Sequence, residues 1–141
     1  MAHCDLETGA VIFYESFQGV DGLKDRYFIV IRNSGPLVEC FTTKTQPHAE
    51  KSPKLAAEFC EIAAGESCLP KRCFVDFRRI QEFGDIELGS RIRSKSVKER
   101  GALSPEILGR LRTALASARS LSFDEKEPLL AALDGMIAKG N

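Results

Sequence analysis

The 141-residue chain predicts an α+β domain: a curled antiparallel sheet followed by C-terminal helices. Three observations carry that prediction. Short runs of β-branched and aromatic residues fill the first eighty positions. A turn with a physical mechanism, Asn33-Ser34-Gly35-Pro36, separates two of them, because Gly supplies positive φ and Pro fixes its own. From Ser104 onward the apolar period changes to that of a helix. Strands first and helices last is the order of an α+β fold with its helices gathered on one side.

Residues 9–17, Gly-Ala-Val-Ile-Phe-Tyr-Glu-Ser-Phe, read as the first strand. Residues 18–25, with two glycines and several charges, read as a mobile loop. Arg26–Arg32 is the clearest strand; its apolar run predicts burial on both faces. Leu37–Thr43 returns after the turn, and residues 44–54, with Pro47 and Pro53, read as a loop. Residues 55–64 are ambiguous. Ser52-Pro53 suits a helix start, whereas Phe59-Cys60-Glu61-Ile62 suits a strand, and we take 58–63 as a strand.

Cys73–Phe77 is a further short strand, and 78–83 either turns helically or continues along the sheet edge. Residues 85–101 are charged and irregular, with one short strand near 86–92. Ser104 is an N-cap with Pro105 and Glu106 behind it. Ile107, Leu108, Leu111, Leu115 and Ala118 share a helical face. Ser122-Phe-Asp-Glu125 forms a capping box for a second helix striped by Leu129, Leu130, Leu133 and Ile137. The expected organisation is a single domain over 1–141, with a β portion at 9–100 and two helices at 104–139.

Composition excludes several classes. Hydrophobic residues make up 43% and charged residues 28%, the balance of a soluble globular chain. No run is long and apolar enough to predict a membrane span, and the first residues lack the pattern of a signal peptide. Five cysteines, an odd number, point to reduced thiols in a cytoplasm. Four residues lie between Cys68 and Cys73, and neither Cys4, His3 nor His48 completes a zinc spacing, so the cysteines are expected in the core and no metal or cofactor is expected. Both histidines read as plain surface residues. The net charge of zero hides an asymmetry: residues 69–103 hold 9 Lys/Arg against 5 Asp/Glu. Such a local basic stretch can steer a polyanion.

If Arg26–Arg32 and Leu37–Thr43 pair as a hairpin, Arg26 at the start of one and Thr42 at the end of the other meet at one end of the sheet. A fixed cation beside a hydroxyl is chemistry suited to a phosphodiester. The order of these features resembles the MazF/PemK-type toxin family of sequence-specific endoribonucleases. A Gly-initiated strand and a loop come first, then a basic residue and Arg before an apolar strand, then a strand ending in Thr. The segments "CLP…FVDFRRI" and Gly-Ala-Leu-Ser-Pro-Glu follow, and the pattern runs from Gly9 to about Leu115.

The resemblance implies an SH3-like β-barrel, a homodimer, a small antitoxin partner and metal-independent cleavage of single-stranded RNA through attack by its own 2′-hydroxyl. It assigns Arg26 as the catalytic arginine and Thr42 as the catalytic hydroxyl, with Thr43 the adjacent alternative. Residues 18–25 become a substrate-gating loop. Lys24, Thr43, Arg78 and Arg79 are the expected substrate contacts; Asp25 and Glu15 are candidate proton acceptors. Phe17, Tyr27 and Phe41 lie near enough to stack on bases, Phe41 being the one expected in the core. Two departures stand out: Tyr27 where the family has Pro, and a second helix beyond the family's usual end. A non-catalytic barrel that binds nucleic acid or a protein is the alternative.

Overall fold

In the computed structural model, residues 4–19, 22–45 and 52–140 are described. Two long strands, β1 (Ala10–Gly19) and β2 (Gly22–Asn33), pair as a hairpin, and β3 (Leu37–Lys44) returns along β2. A single helical turn, α1 (Pro53–Ala56), leads into β4 (Phe59–Ile62), then β5 (Cys73–Asp76) and β6 (Gln81–Gly84). Helix α2 (Asp85–Arg93) and strand β7 (Val97–Ala102) precede α3 (Pro105–Ser117) and α4 (Phe123–Gly140). The seven strands form one antiparallel sheet in the order β4-β5-β3-β2-β1-β7, with β6 also on β3. The sheet does not close: β4 and β7 are its ends among the described residues.

The centre of the sheet is buried on both sides, which explains the unbroken apolar run Tyr27–Ile31 in the second half of β2. Ile29, Ile31 and Phe41 face one way and pack with Phe77 against Leu108, Leu111, Leu115, Leu129 and Leu133 of the two C-terminal helices. Phe28, Val30 and Cys40 face the other way, with Ile12 and Tyr14, against Leu88 of α2. Cys4 and Leu6 complete that second core, held there by Asn33, whose Nδ2 donates to both of their carbonyls at 2.9 and 3.0 Å.

The helix caps form as the residue types require. Ile107 N donates to Ser104 Oγ at 3.3 Å. Ser122 and Glu125 make the reciprocal pair, Glu125 N to Ser122 Oγ at 3.2 Å and Ser122 N to Glu125 Oε1 at 2.9 Å. Cys4, Cys40, Cys60 and Cys73 are buried, and burial pushes the Cys73 thiol up to about 11. Cys68 is exposed, so the expected core position fails there. Its Sγ lies so close to Gly101 that a Cβ on that glycine, already at φ 149°, would approach it to 3.1 Å. His3 and His48 lie outside the described residues.

Two further expectations are corrected and a third is resolved. Residues 18–25 are not a loop: Gln18 pairs with Leu23, Phe17 with Lys24, and Gly19 with Gly22, so the described part is a continuation of the hairpin. Residues 86–92 form helix rather than strand. Ile86 and Leu88 alternate like a strand, yet acids at the first turn, bases at the last and a Glu87–Arg91 ion pair favour the helix, which turns Leu88 and, one turn on, Ile92 to the core. Of the two alternatives for the segment after β5, the second holds: it does not turn helically throughout but continues along the sheet edge, where Gln81–Gly84 pair as β6 with the first half of β3.

The corner joining α3 to α4 is fastened by a buried carboxylate. Glu58, 7% exposed, accepts Arg119 N and Ser120 N, each at 2.8 Å. Lys126 Nζ donates to the carbonyls of Ala116 and Ala118 at the end of α3. Burial pushes the Glu58 carboxyl up, but the hydrogen bonds from Ser120 and Arg119 and the nearby Lys126 charge outweigh it and hold it below its ordinary value. A depressed carboxylate stabilises the fold fully above the unfolded value of about 4.3, and that contribution is lost as pH falls through the lower folded value. Glu58→Gln is therefore expected to lower the unfolding free energy at pH 7, read from a urea titration, by roughly 1–3 kcal/mol. The gap between wild type and variant should narrow at pH 3. A gap unchanged across that range would remove the charge from the explanation.

Candidate nucleic-acid cleft

Strand β3 shares its outer edge between two partners. Leu37–Cys40 pair with β6, from Leu37 opposite Gly84 to Cys40 opposite Gln81. Thr43 and Lys44 pair with β5, opposite Val75 and Phe74. Between Cys40 and Thr43 stand two residues, Phe41 and Thr42; between Val75 and Gln81 stand five, 76–80. The surplus cannot lie flat in a ladder. It bows away at Thr42 and carries Arg78 and Arg79 with it.

A cleft of about 430 Å³ opens at this fork, with Arg26, Thr42, Lys44, Arg78 and Arg79 around it. The register explains why. Phe28 lies opposite Thr42, and side chains alternate along a strand, so Arg26, Phe28, Thr42 and Lys44 share one face. Asp76 is the carboxylate among the lining residues, set against those four cations.

The floor is aromatic. Phe17 and Phe28 line the cleft and meet edge to face, with centroids 5.0 Å apart. Phe17 reaches this face because β1 carries a bulge between Tyr14 and Phe17, where Ser16 adopts φ 52°. The extra residue flips the alternation and puts Phe17 on the same side as Tyr14, 5.2 Å away. Asp25 holds the bulge: its Oδ1 accepts Ser16 N at 2.9 Å. The Arg26 side chain passes the same spot. A Cβ on Gly19 would lie 3.9 Å from Arg26 Nε and 3.7 Å from the Phe17 ring.

Arg78 is aimed before any ligand arrives. Its Nε and Nη2 donate to the two oxygens of Asp76, both at 3.0 Å, and its backbone N donates to Asp76 Oδ1 at 3.0 Å. Its guanidinium lies 4.9 Å above the Phe59 ring. The hydrogen bonds to Asp76 raise its proton affinity further, so the positive charge is permanent. Two donors are used in this way, and the others of the five-donor fork are left for a ligand. Thr42 donates its hydroxyl to the Thr43 carbonyl at 3.5 Å, a long contact that a phosphate oxygen can displace.

Arg26, Thr42, Arg78 and Arg79 thus come together, while Lys24 and Thr43 do not join them. Thr43 points to the opposite face, where its hydroxyl donates to the Tyr27 carbonyl at 3.3 Å, and both it and Lys24 line a neighbouring cleft. Neither proposed proton acceptor lines the first cleft. Asp25 is held at the bulge, and Glu15 pairs with Lys98 at 3.1 Å. Phe41 is fully buried in the core. Sequence reasoning missed Lys44 and Asp76. Lys44 was within reach, being two residues beyond Thr42 on a strand; Asp76 needed the fork to be known.

Among the described residues no helix is long and apolar enough to cross a membrane, and no group of three or more His, Cys, Asp or Glu side chains gathers as for a metal ion. Comparison with protein-family models finds no match to this chain, and neither does comparison with curated proteins.

Proposed function

We propose that the chain is a metal-independent endoribonuclease of the MazF/PemK toxin type, cutting single-stranded RNA at the fork. One observation carries the reading: Arg26 and Thr42, on adjacent strands, line one open cleft with three further cations, Lys44, Arg78 and Arg79. On this reading the curled sheet is a variant of the SH3-like barrel, and the protein acts as a cytoplasmic homodimer restrained by a small antitoxin.

The 2′-hydroxyl of RNA attacks the adjacent phosphorus while the bond from phosphorus to the 5′-oxygen breaks. The products are a 2′,3′-cyclic phosphate and a 5′-hydroxyl, with the 2′-proton lost to water and the leaving 5′-oxygen taking its proton from water. Arg26 takes two non-bridging oxygens through its planar fork. Thr42 donates to a phosphate or leaving oxygen. Arg78, fixed by Asp76, adds a second preorganised cation where negative charge grows in the transition state. Asp76 is committed to that role, so the rate enhancement rests on charge stabilisation by the cations.

The same commitment of Asp76 favours a second reading, a non-catalytic module that grips RNA in this cleft. The two separate cleanly. Purified protein with a mixed-sequence single-stranded RNA and excess chelator is expected to yield discrete fragments ending in 2′,3′-cyclic phosphate. RNA that is retarded in a gel but stays intact selects the binding module. RNA neither bound nor cut rejects both.

A further inference from the structure

On the opposite side of the β2–β3 pair from Thr42 lies a second cleft, also of about 430 Å³, with Lys24, Tyr27, Thr43 and Lys71 in its lining. Arg26 and Lys44 line both clefts, so their side chains form the ridge between them. Cations again outnumber acids: Lys24, Arg26, Lys44 and Lys71 against Asp25, whose Oδ1 already accepts the Ser16 N–H.

Tyr27 differs from the other aromatics of the sheet. It is half-buried, packed on the helix-side core, and it still lines this open cleft. Its ring is 4.9 Å from that of Phe13, its cross-strand partner on β1, at 50°. Phe13 in turn lies opposite Lys98 on β7, and the Arg100 guanidinium stands 5.4 Å above its ring. An aromatic pair across β1 and β2, edged by Lys98 and Arg100 of β7, therefore lies beside the cleft that Tyr27 lines.

We propose that this second cleft is a nucleobase subsite, in which a base of a single-stranded polynucleotide stacks on Tyr27 while the adjoining phosphate is held on the Arg26–Lys44 ridge. The proposal rests on the reading of the first cleft as a phosphodiester site and extends it. One strand crosses the ridge, presenting phosphate to one side and a base to the other. Cations beside a ring that lines an open cleft are what a sequence-tolerant single-strand site requires. An acidic peptide would meet the same charges but would have no use for the ring.

The chain has two tyrosines and no tryptophan, so Tyr14→Phe leaves Tyr27 as its one tyrosine emitter. The probe is a mixed-sequence 2′-O-methyl oligonucleotide, which cannot be cut because its nucleophile is blocked. Binding is expected to quench Tyr27 emission in the Tyr14→Phe protein, whereas inorganic polyphosphate, with charge and no bases, leaves it unquenched. By fluorescence anisotropy of a labelled oligonucleotide, Tyr27→Leu should bind about tenfold more weakly. Tyr27→Phe, which keeps the ring, should bind as wild type.

Equal binding by Tyr27→Leu with no quenching overturns the subsite and leaves the nuclease reading standing. Quenching and tenfold loss in a protein that never cuts RNA uphold the subsite and remove the nuclease. Failure of wild type to bind the oligonucleotide overturns both.

Discussion

Replacing Arg26 by Gln should reduce RNA cleavage about 10²–10³-fold, the usual loss when one preorganised donor to a growing oxyanion is removed. Arg26→Lys should recover only part of it, because an ammonium keeps the charge but cannot take two phosphate oxygens at once. Arg26 is half-exposed at the rim of the hairpin, so either change should alter the unfolding free energy, read from a urea titration, by about 1 kcal/mol or less. The loss then belongs to the site rather than to the fold. Single-turnover rates on a short RNA give the measurement. A variant that cuts at the wild-type rate would mean that the phosphate is gripped elsewhere, with Arg78 the first alternative.

The largest effect on stability is expected from Phe77→Ala, at about 3–5 kcal/mol. Phe77 and Phe41 are both fully buried and meet edge to face with centroids 5.1 Å apart, under the C-terminal helices. Domains of ordinary size hold about 5–15 kcal/mol in total, so the variant should unfold at a much lower urea concentration. Phe77→Leu leaves a smaller void and should lose less. Phe77 also anchors the bowed segment. It sits between Asp76 and Arg78, and its N–H donates to the Glu58 carbonyl at 2.9 Å. RNA binding by Phe77→Leu should therefore weaken even where the protein remains folded. A loss below about 1 kcal/mol for the alanine variant would contradict the packing of Phe77 against Phe41.

The parts of the fold readable in the sequence are those whose signal is local. β2 shows in its apolar run, the β2–β3 turn in Asn33-Ser-Gly-Pro36, and the final helices in Ser104-Pro105 and the Ser122–Glu125 box. Arg26 and Thr42 were readable together because strand alternation and a short turn decide which side chains share a face. The hairpin tip was not. Lys24 and Asp25 are exposed, as is Leu23 at 65%, so pairing there rests on the backbone and leaves no hydrophobic signature. Helix α2 was misread because its few apolar residues serve a strand pattern as well as a helical one. The fork lay beyond any local reading: that 76–80 faces only Phe41 and Thr42 depends on two separate pairings with β3.

That surplus segment leaves the ladders on either side of it independent of its length. Extending the 78–80 stretch by a residue or two disturbs neither flanking register, and each doubling of a flexible loop adds only about 0.6 kcal/mol of closure cost. Its arginines overlook the cleft, so the segment is an interchangeable cassette above a constant frame. On the nuclease reading, two proteins differing there alone would keep the same architecture and select different RNA sequences.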